Sequence, residues 1–396
     1  MYSLLKKMLF INKDNPKLPD LYRFLIFFIR PLIQQTGVTC FVACPNKPWG
    51  CNLEAFVCYL LAKPEQKRIY ILNFGTTPSD EISRQYPDYN EKIKVIDARM
   101  SVALLNCVCK AKIFFANDYE NYELPGPIVN LWHGIALKKI GTFQRKRLKK
   151  LGRKFKQVIC AAAQMDQCIM AQAFGMAIDR VIPSGLPRHD WMAGRIEFPL
   201  RFKEQAEKLE LLIGDKKLVL YAPTFRDENR NFLPLTTNQL HQWATLLAKH
   251  GYILGIRTHL TAQLTIKHNH PNILDLSGAI YHHIEAIYPL TSILVTDYSS
   301  VCIDFMLTGK PIIGLDPSEL DYSRGFILDF DTLFPGKFYT NFTIFLQDCE
   351  KLIANAQQPL NHFDYTLQKK IFLGHYQHNA CETLHQKLKK LYPKYF

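Results

Sequence analysis

Three short polar segments directly follow predicted β-strands, and their residue types suit proton transfer and phosphate binding. In open α/β sheets, ligands bind beyond the carboxyl ends of the strands, so reactive side chains are expected at these positions. The segments are Trp132-His133-Gly134 after the strand Ile128–Leu131, Arg257-Thr258-His259 after Tyr252–Ile256, and Thr296-Asp297-Tyr298-Ser299-Ser300 after Ile293–Val295.

The third segment has the pattern of a phosphate site. Hydroxyl side chains follow a strand and precede a predicted helix, Val301–Leu307. The unpaired N–H groups and the positive dipole end of such a helix attract a phosphate, and Ser299 and Ser300 add donors. The same residue types also act as simple helix N-caps, so this segment alone leaves both interpretations open.

Two histidines are candidates for proton transfer. His133 and His259 both stand at strand ends, where an imidazole can exchange a proton with a hydroxyl near neutral pH. A single histidine more often has a structural role, and that alternative stays open for both. Beside His259, Arg257 would complement a pyrophosphate. Thr224 and Arg226 follow a further predicted strand, and we expect them to line the same ligand-binding cleft as Arg257 and His259.

A strongly basic run, Lys138–Lys156, contains ten Lys or Arg residues and no acid. If it is helical, Leu148, Leu151 and Phe155 form a narrow apolar stripe on a cationic surface, which suits an anionic membrane or a polyanion. A solvated charged surface is the alternative. The residues that we expect to make this contact are Lys139, Arg145, Lys146, Lys149, Lys150, Arg153 and Lys154.

The overall charge also predicts an acidic partner. The 396 residues carry a formal net charge of +14, which favours nucleic acid, anionic lipid or a polyanionic substrate. No RRM, zinc-finger or helix-turn-helix pattern accompanies the basic run, so we do not expect nucleic acid.

Neither the cysteines nor the histidines form a metal-binding pattern. The 11 cysteines are odd in number and scattered, which argues against a secreted disulfide scaffold. The histidine tract lacks the partners of a tetrahedral site, so we expect neither a metal nor another cofactor. Its members are His268, His270, His282 and His283.

Strand and helix signals alternate in both halves of the chain, which predicts βαβ units and parallel sheets. We therefore predict an α/β protein of the GT-B class, with two doubly wound Rossmann-like domains that face a central cleft. The boundary is expected near Pro187–Pro199, where Pro, Gly and charged residues interrupt the pattern. The predicted divisions are residues 1–34, 35–190 and 191–396.

The first division is an amphipathic segment. Its apolar stretch Leu21–Ile33 is interrupted by Arg23 and Arg30 and is too short to span a bilayer, which takes about 20 residues. It either lies on a membrane or covers the first domain.

Taken together, several motifs resemble the CDP-glycerol glycerophosphotransferase family, which includes the primases and polymerases of wall teichoic acid. The order and spacing of the motifs make the resemblance specific, and it covers about residues 35–350. The matching segments are Leu131–Gly141, Ser184–Asp190, Tyr221–Asp227, Thr296–Val301 with Asp304-Phe305, Pro311, Tyr322–Phe326 and Phe334-Pro335-Gly336.

The resemblance implies an enzyme that moves glycerol phosphate from CDP-glycerol to a hydroxyl of a polyol-phosphate or capsule polymer and releases CMP. It implies work at the cytoplasmic face of the membrane, with the acceptor on the first domain and the donor on the second. Leu260 follows His259 where the family usually has proline, which concerns the shape of that loop. The family also uses CDP-ribitol, and the sequence does not separate the two alditols.

The resemblance also suggests roles for the strand-end residues. His133 would be the general base, and His259 with Arg257 would hold or protonate the pyrophosphate. Asp297 would orient a histidine or bind a donor hydroxyl. The remaining substrate contacts that we predict are Gly134, Arg188, Thr224, Arg226, Thr296, Ser299 and Ser300.

Two alternatives remain at this point. A GT-B transferase that uses a nucleotide sugar would need the same fold and the same phosphate-binding helix. A protein that binds anionic polymer without catalysis would need only the basic surface.

Overall fold

The computed structural model describes residues 20–32, 38–43, 47–66, 68–97, 102–117, 124–144, 157–224, 226, 233–258, 270–318, 325–354, 365–375 and 379–394. The chain divides into two compact units. Unit 1 comprises Met1–Gly134, Gly141–Leu200 and Gly374–Phe396, and unit 2 comprises Ile135–Ile140 and Arg201–Leu373.

Strands and helices alternate along both units. In chain order the strands are β1 Val38–Ala43, β2 Ile69–Asn73, β3 Ile93–Asp97, β4 Ala111–Ala116, β5 Ile128–Asn130, β6 Val158–Ala161, β7 Val181–Pro183, β8 Lys217–Ala222, β9 Tyr252–Ile256, β10 Ile273–Asp275, β11 Thr291–Thr296, β12 Ile312–Leu315 and β13 Lys337–Tyr339. The helices are α1 Asp20–Ile29, α2 Cys51–Leu61, α3 Ser79–Arg84, α4 Val102–Lys110, α5 Gln164–Phe174, α6 His189–Met192, α7 Leu200–Ile213, α8 Thr237–Lys249, α9 Val301–Phe305, α10 Phe330–Leu333, α11 Phe342–Ala354, α12 Thr366–Phe372 and α13 Ala380–Leu391.

Each unit is built on one parallel sheet. Among the described residues, unit 1 has seven strands in the order β3-β2-β1-β4-β5-β6-β7, and unit 2 has six in the order β10-β9-β8-β11-β12-β13. Every pairing is parallel, as βαβ crossovers require. In both sheets the strand order reverses beside the first strand, so the predicted doubly wound α/β architecture is confirmed.

Both faces of the unit 1 sheet are buried. Successive residues of β1 point to opposite faces, and each set packs in its own apolar cluster. Phe41 stacks on Phe115 at 4.9 Å and contacts Phe56 of α2 on one side. Cys40 and Val42 pack on the other side in a second apolar cluster. Each fully buried phenylalanine stabilises the fold by about 1.5–3 kcal/mol relative to an exposed one. Because both faces of the sheet are covered, its strands read as continuous apolar runs.

Three short strands, β6, β7 and β13, were not predicted from the sequence. They have only three or four residues each, which is too few for a strand to show its periodicity. In addition, β7 includes Pro183, a residue that lowers strand propensity. The proline is tolerated because β7 is the edge strand of its sheet.

The last helix, α13, belongs to unit 1, which differs from the predicted division at 191–396. Leu384 and Leu388 lie one helical turn apart, and both are completely buried in the unit 1 core. The C-terminal stretch Tyr365–Leu391 contains two helices, α12 and α13. Gly374, with a φ of 58°, follows α12 in a left-handed conformation that favours glycine.

A buried carboxylate caps the start of α13. Asp190 accepts hydrogen bonds from the backbone N–H groups of Ala380 at 2.8 Å and Cys381 at 2.9 Å. The side chain is 3% exposed, so this capping takes place inside unit 1. Asp190, in α6, thus joins the segment after β7 to the start of α13 and satisfies two N–H groups that a helix leaves unpaired.

A second polar contact joins α13 to α2. The hydroxyl of Tyr59 donates to Glu382 Oε2 at 2.6 Å, and Lys63 Nζ donates to the same oxygen at 2.9 Å. Hydrogen bonds from Tyr59, Gln386 and Lys63 lower the pKa of Glu382 to about 2. The carboxylate is therefore ionised wherever the protein is folded at ordinary pH.

Helix α1 packs on unit 1 through one face only. Ile26 is 5% exposed and belongs to the core cluster that contains Cys40 and Val42. On the other face Phe24, Phe27 and Phe28 are exposed, with ring centroids 4.7 and 5.3 Å apart. No helix among the described residues has the length and apolar character needed to cross a bilayer.

Replacing the capping carboxylate should weaken unit 1. We expect Asp190→Ala to lower the free energy of unfolding by about 2 kcal/mol, because two backbone N–H groups lose a charged acceptor in a buried position. Chemical denaturation followed by circular dichroism measures this change. Asp179→Ala, at an exposed position, is the control and should change the value by less than about 0.5 kcal/mol. Equal unfolding curves for the two variants would contradict the capping role.

Candidate functional site

The described candidate residues lie at the carboxyl ends of strands in both units. In unit 1, His133 and Gly134 follow β5, and Arg188 follows β7. In unit 2, the candidates lie at the end of, or directly after, β8, β9 and β11, which are neighbours in the sheet. They are Thr224, Arg226, Arg257, Thr296, Asp297, Ser299 and Ser300. His259 and the basic residues Arg145, Lys146, Lys149, Lys150, Arg153 and Lys154 lie outside the described residues.

The loop that carries His133 is held by the residue before it. Trp132 has a φ of 56°, an uncommon left-handed conformation for a bulky side chain. Its backbone N–H donates to Asn130 Oδ1 at 2.9 Å, and its buried ring meets Phe174 of α5 edge-on at 5.1 Å. With Trp132 fixed in this way, His133 is turned outward and is exposed.

The contact of His133 Nδ1 decides the tautomer. Nδ1 lies 3.2 Å from the backbone oxygen of Asn117, which follows β4. A carbonyl oxygen only accepts hydrogen bonds, so Nδ1 carries the proton in the neutral imidazole. Nε2 is then the basic nitrogen, the arrangement that a general base needs.

Behind the histidine loop, unit 1 contains a polar cluster that the sequence analysis missed. The side-chain amide of Asn52, at the start of α2, donates to the backbone oxygens of Leu131 at 3.2 Å and Trp132 at 2.8 Å. Its Oδ1 accepts from the backbone N–H of Arg188 at 3.0 Å. Asn52 is completely buried. No sequence motif around it indicates that it binds the backbone of the histidine loop.

Arg188, predicted as a substrate contact, is largely buried in this cluster. Its guanidinium Nη1 donates to the backbone oxygen of His133 at 2.8 Å and lies 3.3 Å from Cys51 Sγ. The side chain is 4% exposed. In the structure, Arg188 therefore contacts the peptide backbone of the loop that carries His133.

In unit 2, one guanidinium joins three strand ends. Arg226, after β8, donates to Asp316 Oδ2 at 2.9 Å and lies 3.3 Å from Asp297 Oδ2. Asp297 follows β11 and Asp316 follows β12. Asp297 Oδ1 accepts from the backbone N–H of Thr224 at 2.7 Å, which closes the network.

Burial governs the electrostatics of Asp297. Desolvation raises its pKa, while Arg226, Thr224 and Lys138 act in the opposite direction. The side chain is fully buried. Its described contacts are with the protein, which makes it a residue that positions the loop after β8. Asp316 was not predicted, although its place directly after a strand could have signalled it.

The hydroxyl residues at the carboxyl end of β11 divide into two groups. Thr296 is buried and donates from Oγ1 to the backbone oxygen of Ala222 at 2.6 Å, so its hydroxyl links two strands. Ser299 Oγ accepts from the N–H of Val301 at 3.4 Å, a long local contact. Ser300 occupies the N-cap position of α9 but makes no side-chain capping bond. Ser300 therefore does not act as a side-chain cap in this structure.

Arg257 organises a neighbouring loop. Its Nη1 donates to the backbone oxygens of Leu276 at 3.1 Å and Tyr281 at 2.7 Å. Burial lowers the pKa of Arg257 to about 10, and the guanidinium remains charged at neutral pH. The positive charge thus stays beside the strand end, although its donors are directed at carbonyl groups.

The segment that follows His133 belongs to unit 2. Lys139 N donates to the Gly325 oxygen at 3.1 Å, and Ile327 N donates to the Leu137 oxygen at 2.9 Å. The backbone of the intervening Lys138 forms an isolated antiparallel β-bridge with Phe326. The motif Leu131–Gly141 is therefore divided between the units, and Lys138 brings positive charge toward Asp297.

The described histidines show protein contacts at the positions considered for metal. His283 is buried, stacks on Phe202 at 4.4 Å, and accepts from Arg201 Nε at 3.2 Å through Nε2. Burial and Arg201 lower the pKa of His283. Within the described ranges, no three His, Cys, Asp or Glu side chains come together as a metal site.

Comparison with known proteins agrees with this arrangement. The profile of the CDP-glycerol:poly(glycerophosphate) glycerophosphotransferases matches residues 23–377. The teichoic acid glycerol-phosphate primase of Bacillus subtilis is 30% identical over 78% of this chain and 83% of its own length. The teichoic acid ribitol-phosphate polymerase TarK of Staphylococcus aureus is 25% identical over 66% of this chain, which spans 56% of that protein.

A solved structure supports the fold. The wall teichoic acid polymerase TagF superimposes with a TM-score of 0.71 over 93% of both chains at 18% identity. This likeness, with the two parallel sheets, confirms the predicted GT-B class. The profile match confirms the predicted enzyme class, a glycerophosphotransferase. The chain thus belongs to the CDP-glycerol:poly(glycerophosphate) glycerophosphotransferase family.

Proposed function

We propose that this chain transfers glycerol phosphate from CDP-glycerol to a hydroxyl of a polyol-phosphate acceptor and releases CMP. The observation that carries this proposal is the profile match over residues 23–377, which includes the strand-end segments of both units. TagF, the solved relative in fold, has been soaked with CDPG as a variant, and its structure matches this chain with a TM-score of 0.67.

The transfer needs little covalent work from the protein. The acceptor oxygen forms a bond to the β-phosphorus while the bond from that phosphorus to the bridging oxygen breaks, and CMP leaves with the bridging oxygen. The enzyme must position the two substrates and balance the charge of the phosphates. No step in this scheme requires a residue to be modified.

His133 takes the proton of the acceptor hydroxyl. Its Nδ1–H donates to the Asn117 oxygen, so Nε2 is the nitrogen that accepts. The imidazole is exposed on a loop whose backbone is held by hydrogen bonds on both sides. This combination of an accessible ring and a fixed backbone suits a general base.

The strand ends of unit 2 bind the donor phosphates. Ser300 and Ser299 offer hydroxyls beside the start of α9, and Lys138 and Arg257 contribute positive charge. Arg226, with its two carboxylates, keeps the loop after β8 in place. His259, which follows in the chain after Arg257 and Thr258, is proposed to stabilise the pyrophosphate on the strength of its motif.

A ribitol-phosphate transferase is the second candidate. It is favoured by the similarity to TarK, whose name specifies ribitol phosphate. The same strand-end groups would bind either CDP-alditol, because both donors share the pyrophosphate and the nucleotide.

We further propose that the protein works at the membrane surface. Phe24, Phe27 and Phe28 form an exposed aromatic cluster on α1, with exposures of 61%, 75% and 55%. Phenylalanines on the exposed face of a helix suit insertion at the boundary between the lipid headgroups and the acyl chains. The basic run Lys138–Lys156 supplies charge for anionic lipid or for the phosphate-rich polymer.

The donor is identified by nucleotide release. With a glycerol-phosphate oligomer as acceptor, we expect acceptor-dependent release of CMP from CDP-glycerol. CDP-ribitol and UDP-glucose are assayed in parallel by chromatography of the nucleotides. Release from CDP-ribitol alone would make the chain a ribitol-phosphate transferase, and release of UDP alone would reject the proposal.

The general base is tested by substitution. We expect His133→Ala to lower kcat by roughly 10²-fold or more, because the attacking hydroxyl loses its proton acceptor. His250→Ala, which removes a histidine paired with Glu350 at the end of α8, is the matched control and should retain the wild-type rate. Turnover of His133→Ala near the control value would remove His133 from the mechanism.

Membrane contact is tested with vesicles that contain anionic phosphatidylglycerol. Neutralising five residues should weaken binding by on the order of 10³-fold, at about 1 kcal/mol per charge. The substitutions are Arg145→Gln, Lys146→Gln, Lys149→Gln, Lys150→Gln and Arg153→Gln.

A control with the same change of net charge separates the basic run from general attraction. It carries glutamine at five exposed lysines elsewhere, and it should bind vesicles as the wild type does. Sedimentation of the two variants with vesicles makes the comparison, and equal binding would show that the run is a solvated surface. The control positions are Lys203, Lys208, Lys217, Lys249 and Lys390.

A further inference from the structure

One buried asparagine contacts three separate parts of the chain at the end of the unit 1 sheet. From this geometry we infer that Asn52 is a positioning residue for the transfer reaction, which acts by fixing the loop that carries His133. The inference rests on the proposed function, because it gives His133 the role of the base. Asn52 itself is fully buried, so it acts through the loop.

The contacts of Asn52 match what its side chain can donate and accept. Two amide hydrogens meet the oxygens of Leu131 at 3.2 Å and Trp132 at 2.8 Å, and Oδ1 receives the N–H of Arg188 at 3.0 Å. A polar side chain in this position would be costly to bury without such partners. A purely apolar packing role would have been met by leucine or isoleucine.

The hydrogen bonds of Asn52 converge on the residue of the loop with the least favoured backbone. Trp132 has a φ of 56°, and such a conformation persists only where its surroundings hold it. Asn52 donates to the backbone oxygen of Trp132, while the backbone N–H of Trp132 donates to Asn130 Oδ1 at 2.9 Å. The peptide groups on both sides of the tryptophan are therefore fixed.

Arg188 extends this hydrogen-bond network from Asn52 to His133. Asn52 holds the backbone N–H of Arg188, and Nη1 of the same arginine donates to the His133 oxygen at 2.8 Å. The peptide groups before and after His133 are thus both bound by residues that are buried. A side chain whose backbone is held at both ends points its ring in one direction, which general-base catalysis requires.

This arrangement has a consequence for turnover. Loss of the Asn52 amide should let the loop relax and should lower kcat by roughly 10-fold to 10²-fold. The KM for CDP-glycerol should stay within about 2-fold, because the proposed donor site lies on unit 2. The effect should also disappear when His133 is absent, since Asn52 acts through it.

The primary variant is Asn52→Asp, which keeps an acceptor for Arg188 N–H but turns a carboxylate oxygen toward two carbonyl oxygens. Asn52→Ser removes the amide without adding a buried charge and serves if the first variant does not fold. Asn73→Asp is the matched control. The Asn73 amide donates to the Thr77 oxygen at 2.8 Å and to Ser79 Oγ at 3.0 Å, in a different loop of the same unit.

The experiment is a double-mutant cycle. Asn52→Asp and Asn73→Asp are each measured alone and combined with His133→Ala, by CMP release from CDP-glycerol. We expect Asn52→Asp to lower the rate of CMP release in the wild-type background and to leave it unchanged in the His133→Ala background. Equal slowing in both backgrounds, or slowing by Asn73→Asp as large as by Asn52→Asp, would overturn the inference.

Hydrogen exchange provides a measurement that does not depend on activity. Mass spectrometry of the peptide that covers residues 128–137 should show faster exchange in Asn52→Asp and Asn52→Ser, and unchanged exchange in Asn73→Asp. Unchanged exchange in both Asn52 variants would refute the positioning role. If the wild type releases no CMP from any CDP-alditol, the proposed function fails, while this measurement still decides whether Asn52 holds the loop.

Discussion

A guanidinium held between two buried carboxylates is the interaction on which unit 2 depends. Arg226 is 5% exposed and contacts Asp297 and Asp316, which follow different strands of the sheet. Removing Arg226 would leave two buried carboxylates without their counter-charge, at a cost of about 3–5 kcal/mol. The parallel sheet brings the strand ends to one edge, and this ion cluster fixes the loops that leave them.

Unit 1 meets the same requirement around a neutral amide. The amide of Asn52 takes the central position, and backbone carbonyls and an N–H group replace the carboxylates. An amide has both donors and an acceptor, so it can bind strand-end loops that present oxygens on one side and an N–H on the other. It also places no negative charge behind the imidazole of His133.

Many motif residues of this family serve the fold in this chain. Asp190 caps α13, Thr296 links β11 to β8, and Asp297 holds the N–H of Thr224. Each lies at or near the carboxyl end of a strand, in a segment that bears a predicted ligand contact. The segment after His133, Ile135–Ile140, belongs to unit 2 and hydrogen-bonds there with Gly325 and Ile327.

The sequence by itself determined the architecture, because alternating apolar strands and helices predicted two parallel sheets. His133, Arg226 and Ser300 were predicted as site residues because ligands bind beyond strand ends. The tertiary structure decided which of these side chains face the protein. Asn52 and Arg188 are 136 positions apart, and Asp190 meets a helix 190 positions later. No local pattern encodes such pairings, because they depend on how distant segments pack around the finished sheets.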